Sequence, residues 1–321
     1  MKLSAIRPIA LVLSRELMIT VLLLLGVSFV VFIILFASPG DPFSVLLEGQ
    51  LSTAEAKTGL REAMGVPRSW YIQYLTWLAG MLSGNFGTSI RMGLPVLPEV
   101  LRVGFSTLIL TIGSLMITLL IAVPIALYSA VRGTNKLSWP LTMSSYVISA
   151  LPVFWFGYIV IYFFTHELGL FPIAFGFSTA GQKYRWLYQL LPIFVLGVGN
   201  GTISEVIRFL RQEMGRVMAE DYIRSARAKG ASIWKHAFKE GLLIPVTEII
   251  ASKIPFILGG AVIVEQVFNW PGMGRMAWQA AQDRDYPVIM GIAILAAVFV
   301  RLGSLFQSVV YVAVNPRASK E

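Results

Sequence analysis

Asp221-Tyr222-Ile223-Arg224-Ser225-Ala226-Arg227-Ala228-Lys229-Gly230 decides how this chain is read. Three basic side chains and one acid fall within ten residues, between strongly apolar segments. Hydrocarbon does not accept that many charges, so the run lies outside the bilayer. Its spacing is helical. Tyr222, Ala226 and Gly230 recur every four residues and share one face, with Arg224 and Arg227 set apart from it. Two readings fit: a solvated basic loop that obeys topology rules, or a docking helix whose Ala/Gly face lets a cytoplasmic partner come close.

Working outward, composition fixes the class. Of 321 residues, 56% are hydrophobic and only 13% charged. Soluble domains carry about a quarter charged residues, so the expectation is an all-α polytopic membrane protein. The formal charge of +9 raises nucleic acid as a partner, but in a membrane protein basic residues mark cytoplasmic loops. No nucleic-acid partner is therefore expected. With no cysteine and only His166 and His236, thiolate metal sites are absent and histidine sites are nearly so.

Residues 17–37 form an uncharged run long enough to span a core of ~30 Å. It is too long for the core of a signal peptide, so it reads as a retained helix. Residues 103–131 and 137–165 are longer uncharged runs, expected to tilt or project past the membrane. Residues 186–204, 241–264 (with Glu248 and Lys253) and 286–314 (with Arg301) complete six spans. Residues 1–16, 38–102, 208–240 and 315–321 are then an N-terminal segment, a long loop, a polar cytoplasmic loop and a tail, and 103–314 is the core transmembrane domain. The two termini and the loops on their side hold fifteen Lys and Arg, and the short opposite loops hold four: Lys183, Arg185, Arg275 and Arg284. By the positive-inside rule the termini are cytoplasmic.

The 38–102 segment is punctuated by Pro39, Pro42, Pro67, Pro95 and Pro98. Its stretch Trp70-Tyr-Ile-Gln-Tyr-Leu-Thr-Trp77 suits an interfacial helix, and a small packed extracytoplasmic subdomain accounts for it equally well. Pro124, Pro152, Pro192, Pro245 and Pro255 predict kinked helices. Catalytic signatures are missing. No Gly-Lys dipeptide occurs, so no P-loop exists; His166-Glu167 lacks the second histidine of a zinc protease; Gly80-Met-Leu-Ser-Gly84 is only a loose serine-hydrolase elbow. Energy for any driven process must arrive from another subunit.

The order of motifs resembles one family. The 226–230 part of the opening stretch is similar to the EAA loop of the permease subunits of bacterial ABC importers, in the dipeptide, oligopeptide, nickel and glutathione branch. The resemblance extends over Gly84-Asn-Phe-Gly-Thr-Ser89, Leu151-Pro-Val-Phe-Trp155, Gly259-Gly-Ala-Val-Ile-Val-Glu265, Phe268-Asn-Trp-Pro-Gly-Met-Gly274, Arg284-Asp-Tyr-Pro-Val288 and Asn315-Pro-Arg317. It departs from the family in two ways: the stretch from Gly230 to Pro245, which holds a second cytoplasmic helix around 234–240, is a few residues shorter, and Glu248, Lys253 and Arg301 stand where such permeases are usually uncharged.

The resemblance implies a type I ABC importer transmembrane fold in the bacterial inner membrane, paired with a second homologous permease. It implies two ATPase subunits that carry ATP and Mg, an extracytoplasmic solute-binding protein, and no cofactor on this chain. It assigns Asp221, Tyr222, Arg224, Ala226, Arg227 and Gly230 to a coupling helix that follows ATPase closure. Asn269, Trp270, Pro271, Gly272, Arg284, Asp285 and Tyr286 are expected to form the surface met by the binding protein. The rival reading is an ion-coupled secondary transporter using Glu248, Lys253 or Arg301, and it is weakened by the lack of an inverted repeat. A scaffold protein is a third, but it has no need of a polar helix with a small-residue face. Glu248 lies about 10 Å from the inner end of its span and Arg301 about 8 Å, so these two are expected to pair.

Overall fold

The computed structural model describes residues 6–38, 69–133, 135–168 and 185–314. Lys2, Lys183, Pro39, Pro42, Pro67, the tail at 315–321 and its Asn315-Pro-Arg317 lie outside the described residues. Among those described, the structure is helical, with one isolated β-bridge between Thr88 and Pro95. We label the helices α1 (Ile6–Ala37), α2 (Trp70–Leu82), α3 (Val96–Arg132), α4 (Ser138–Ser149), α5 (Val153–Ile161), α6 (Arg185–Gly199), α7 (Thr202–Met218), α8 (Asp221–Ala228), α9 (Ile233–Phe238), α10 (Ile244–Val267), α11 (Met273–Gln282) and α12 (Tyr286–Val314). Wider π-type turns follow α5 (Tyr162–Glu167) and join α9 to α10 (Lys239–Leu243).

Among the described residues, three helical stretches are long and apolar enough to cross a membrane: Ser14–Ala37, Val96–Arg132 and Tyr286–Val309. Two bent pairs raise this to five: Ser138–Ser149 with Val153–Phe164, and Gln189–Gly199 with Thr202–Met218. The spans expected over 137–165 and 186–204 are thus each broken into two helices, the first at Pro152, where a kink is expected. The first turns by 103° at Ala150-Leu151-Pro152, where the proline cannot donate to the preceding turn and disfavours helix before it. The second turns by 53° at Asn200-Gly201, with Gly201 at φ +74. Helices α3 and α6 continue through Pro124 and Pro192.

The chain divides into two compact units: residues 1–16, 108–270 and 300–321, and residues 17–107 and 271–299. Among the described residues of the first lie three apolar clusters. Leu110, Val160, Leu196, Val264 and Trp270 belong to one; Ala122, Ala126, Ile207, Leu210 and Ile249 to the next; Met214, Val217, Ile223 and Ala237 to the last. Gly197 brings α6 against α3, since a Cβ there would meet the Ser114 carbonyl at 2.6 Å. Thr118 Oγ1 donates to the Gly197 carbonyl at 2.6 Å across that contact. Small residues and hydroxyls of this kind hold helices together where lipid supplies no hydrophobic drive.

In the second unit residues 17–37 of α1 present a lipid-like surface, with Leu17, Leu22 and Ile34 more than half exposed. Helix α2 has no buried residue and leans on α1 through Tyr74, whose hydroxyl lies 3.0 Å from Ser28 Oγ and whose ring meets Phe29 and Phe32. Buried Asp285 clasps the loop after α2. It accepts from Ser89 Oγ, from the Ile90 amide at 3.2 Å and from the Arg91 amide at 3.3 Å, and Arg91 pairs with Asp283 alongside.

Candidate coupling site

Helix α8 is short and polar, so its anchoring comes from tertiary packing rather than propensity. Ile223 is fully buried against Met214 and Val217 of α7 and Ala237 of α9. Ala226, three residues on, is 6% exposed and turns the same way. The expected docking face is corrected here: the small Ala226 side is used inside the chain, not offered to a partner. Spacing alone does not say against which backbone a small face closes. Asp221, Tyr222, Arg224, Arg227 and Gly230 are exposed, so the outward face is polar and aromatic.

Gly230 ends the helix. Its φ is +67, its amide donates to the Arg227 carbonyl at 3.1 Å, and the Ala231 amide reaches the Ala226 carbonyl at 2.9 Å. This is the Schellman arrangement, in which a left-handed residue lets the last carbonyls find donors. Nothing lies within 4 Å of a Cβ built at Gly230, so the space beside it is open within this chain.

The second helix expected around 234–240 is Ile233–Phe238, and it flows through the Lys239–Leu243 turn into α10. That turn presents Glu240, which accepts from the Tyr222 hydroxyl at 3.0 Å. Burial first, then the bond and charge of Glu240, push the Tyr222 hydroxyl up to about 12. Because the folded value is raised, this contact is fully present below the ordinary tyrosine value of ~10 and is lost only as pH rises through about 12. Tyr222→Phe is expected to loosen α8 by ~0.5–1.5 kcal/mol, with no pH dependence between 6 and 9, read as faster amide exchange in α8. Unchanged exchange would show that the bond does not fix the helix.

The other singled-out residues separate into groups. Trp270 is 3% exposed, Asp285 2%, and Gly272 is buried, which corrects their assignment to an outer contact surface. Trp270 fills the apolar cluster with Leu196 and Val264, and Asp285 is consumed by the clasp. Asn269 and Pro271 are exposed, while Arg284 and Tyr286 are half-buried. Asn269 and Arg284 both have positive φ, +54 and +56, at the ends of α10 and α11. The Trp270 amide reaches the Glu265 carbonyl and the Asp285 amide the Ala280 carbonyl, both at 2.8 Å, so these ends repeat the Gly230 design. An arginine there is strained, and Arg284→Gly is expected to raise stability by ~1 kcal/mol, seen as a higher Tm of the purified protein. A lower Tm would mean that the side chain contributes more than the strain costs.

The intramembrane charges do not pair as their depths imply. Arg301 binds Glu16, with Nη2 2.5 Å from Oε2, and Ser308 Oγ also donates to Glu16. Lys253 of α10 pairs with Glu205 of α7, and Glu248 is exposed. Placing the first span at residue 17 left Glu16 just outside it, and with it the partner of Arg301.

The profile described as binding-protein-dependent transport system inner membrane component matches residues 122–320, and its N-terminal companion matches 9–98. The chain belongs to this family. It is 37% identical over 311 residues to the oligopeptide transport system permease protein AppB of Bacillus subtilis, covering 94% of this chain and 97% of that protein. It is 31% identical over 328 residues to the dipeptide transport system permease protein DppB of Alkalihalophilus pseudofirmus, covering 94% and 97%. It is 33% identical over 299 residues to the glutathione transport system permease protein GsiC of Salmonella paratyphi A, covering 91% and 94%. This permease is accordingly a multi-pass membrane protein, the non-catalytic subunit of a binding-protein-dependent ABC importer, and works with ATPase and binding-protein subunits.

Proposed function

We propose that this permease forms half of the path by which peptides, or a related small solute, enter the cell across the inner membrane. The relatives named for oligopeptide, dipeptide and glutathione transport support that solute class. A second homologous permease supplies the other half, and two ATPase subunits carry ATP and Mg. The chain crosses six times with both termini in the cytoplasm, residues 208–240 form the coupling segment, and 38–102 lie outside. The observation that carries the reading is helix α8: an exposed polar face with Tyr222, Arg224 and Arg227, fixed to α7 through buried Ile223. Such a helix follows a groove that moves and drags α7 with it. To carry the path from 1:99 to 99:1 between its two states, nucleotide must favour one state by ~5.5 kcal/mol.

The outer contact surface moves from the turn itself to its neighbours. Arg91, Met92, Leu94 and Trp278 are exposed, with Arg91, Met92 and Leu94 on the clasped loop and Trp278 on α11. They offer an aromatic anchor and a cation to the binding protein. Photocrosslinkers at Trp278 and Arg91 are expected to capture the loaded binding protein in reconstituted transporter. Capture of none while peptide uptake is intact would remove this surface. Co-purification of the ATPase subunits with the intact permease tests the wider reading, and their absence would sink it.

A further inference from the structure

The two helix breaks adjoin: a Cβ at Gly201 would sit 4.0 Å from the Ser149 carbonyl. Around them three side-chain groups are buried without a partner, Ser149 Oγ, Asn200 Nδ2 and Thr202 Oγ1. Each can donate a hydrogen bond. Thr202 itself is 0% exposed and opens α7, whose first turn has no side-chain cap. A helix start with free amides and an unpaired hydroxyl is an environment for negative charge. Glu205 stands one turn along the same face and is bonded to Lys253.

The Glu205 side chain keeps 45% of its surface exposed on a helix that belongs to a membrane-crossing pair. A charge so placed costs ~2.5–3.5 kcal/mol against hydrocarbon, so it belongs against water or against protein. Exposed Glu248 and Ser252 extend the polar surface along α10.

We propose that this break is a charge-reading station in the translocation path, where a zwitterionic solute exchanges with the Glu205–Lys253 ion pair. The start of α7, with Thr202 and Asn200, and the Lys253 ammonium take the solute carboxylate, while Glu205 takes its ammonium. The orphaned donors are sealed here and become available when the two breaks part. The station rests on the importer reading and deepens it: it selects carboxylate-bearing solutes over neutral ones.

The chain has no cysteine, so a single Thr202→Cys is a clean probe. The assembled transporter is treated with anionic sulfonatoethyl and cationic trimethylammonioethyl methanethiosulfonate, in nucleotide-free and ATP-bound states. Modification of this chain is read by mass spectrometry, and rates are normalised to a free thiol. The anionic reagent is expected to react at least ~10-fold faster in one of the two states, the preference vanishing with Lys253→Met and growing with Glu205→Gln. No reaction in either state places the pair against protein and overturns the path role. Reaction without anionic preference overturns the carboxylate assignment. Asn200→Cys provides the same measurement where Thr202→Cys does not fold. Thr202→Val adds a readout that a structural role would not give: removing an unpaired buried hydroxyl leaves Tm equal or higher, while uptake of a defined dipeptide mixture falls. Undiminished uptake would overturn the station, whereas loss of ATPase subunits from the parent transporter would count against the importer reading instead.

Discussion

Arg301→Ala is expected to destabilise the permease by up to ~3–5 kcal/mol, the cost of removing one partner from a fully buried ion pair. The Arg301 side chain is 12% exposed and that of Glu16 21%, so the carboxylate left behind is poorly solvated. Ser308 still donates to it, but a neutral hydroxyl at 3.3 Å does not offset the lost guanidinium. Glu16→Leu with Arg301→Met removes both charges and is expected to return most of the stability, because an apolar pair of similar volume has no desolvation cost. The measurement is the thermal unfolding midpoint of the three variants in the same detergent. Equal midpoints for Arg301→Ala and the double substitution would show that the ion pair is not what holds α1 to α12. Since neither charge would be needed for transport, uptake by the double substitution should match the parent protein.

That pair also shows what the sequence revealed and where it fell short. Apolar length placed the last helix over 286–314, as found, because a long apolar run holding a single charge, Arg301, has one good solution in a bilayer. Pro152 announced a kink, but length did not reveal the size of the break, since hydropathy is the same whether a run is straight or folded back there. Gly199-Asn200-Gly201 was visible as letters, but only the left-handed Gly201 and the abutting Ser149 turn it into a junction. The coupling stretch was legible because charge cannot be hidden in lipid. Which of its faces pointed outward was not, because a small side chain such as Ala226 can close against any surface, and here it is buried within its own chain. Trp270 misled for the same reason, since an amphipathic residue beside Pro271 and Gly272 looks like a surface turn until the apolar cluster is seen around it. Nothing in the letters around Asp285 announces the loop clasp that buries it.

Gly230→Trp should abolish productive ATPase assembly while the permease still inserts and pairs. Two effects are separable at this position. The left-handed backbone, φ +67, costs any L side chain ~1–2 kcal/mol, and asparagine least. The open space around the residue means that a large side chain meets nothing in this chain, so further loss must come from the docked partner. Gly230→Asn therefore measures the backbone cost alone, and Gly230→Trp adds bulk at the groove. Arg224 and Arg227 are solvent-exposed, and Arg224 is already shared with Asp221 at 3.3 Å, so Arg227→Ala should change assembly by ~0.2–1 kcal/mol, less than about five-fold. The order expected for binding-protein-stimulated ATP hydrolysis in purified complexes is parent, then Gly230→Asn and Arg227→Ala close behind, with Gly230→Trp near the uncoupled baseline. A Tm for Gly230→Trp within a few degrees of Gly230→Asn would confirm that the fold survives. Normal coupled hydrolysis in Gly230→Trp would make α8 a solvated basic loop, with the coupling carried elsewhere on the chain.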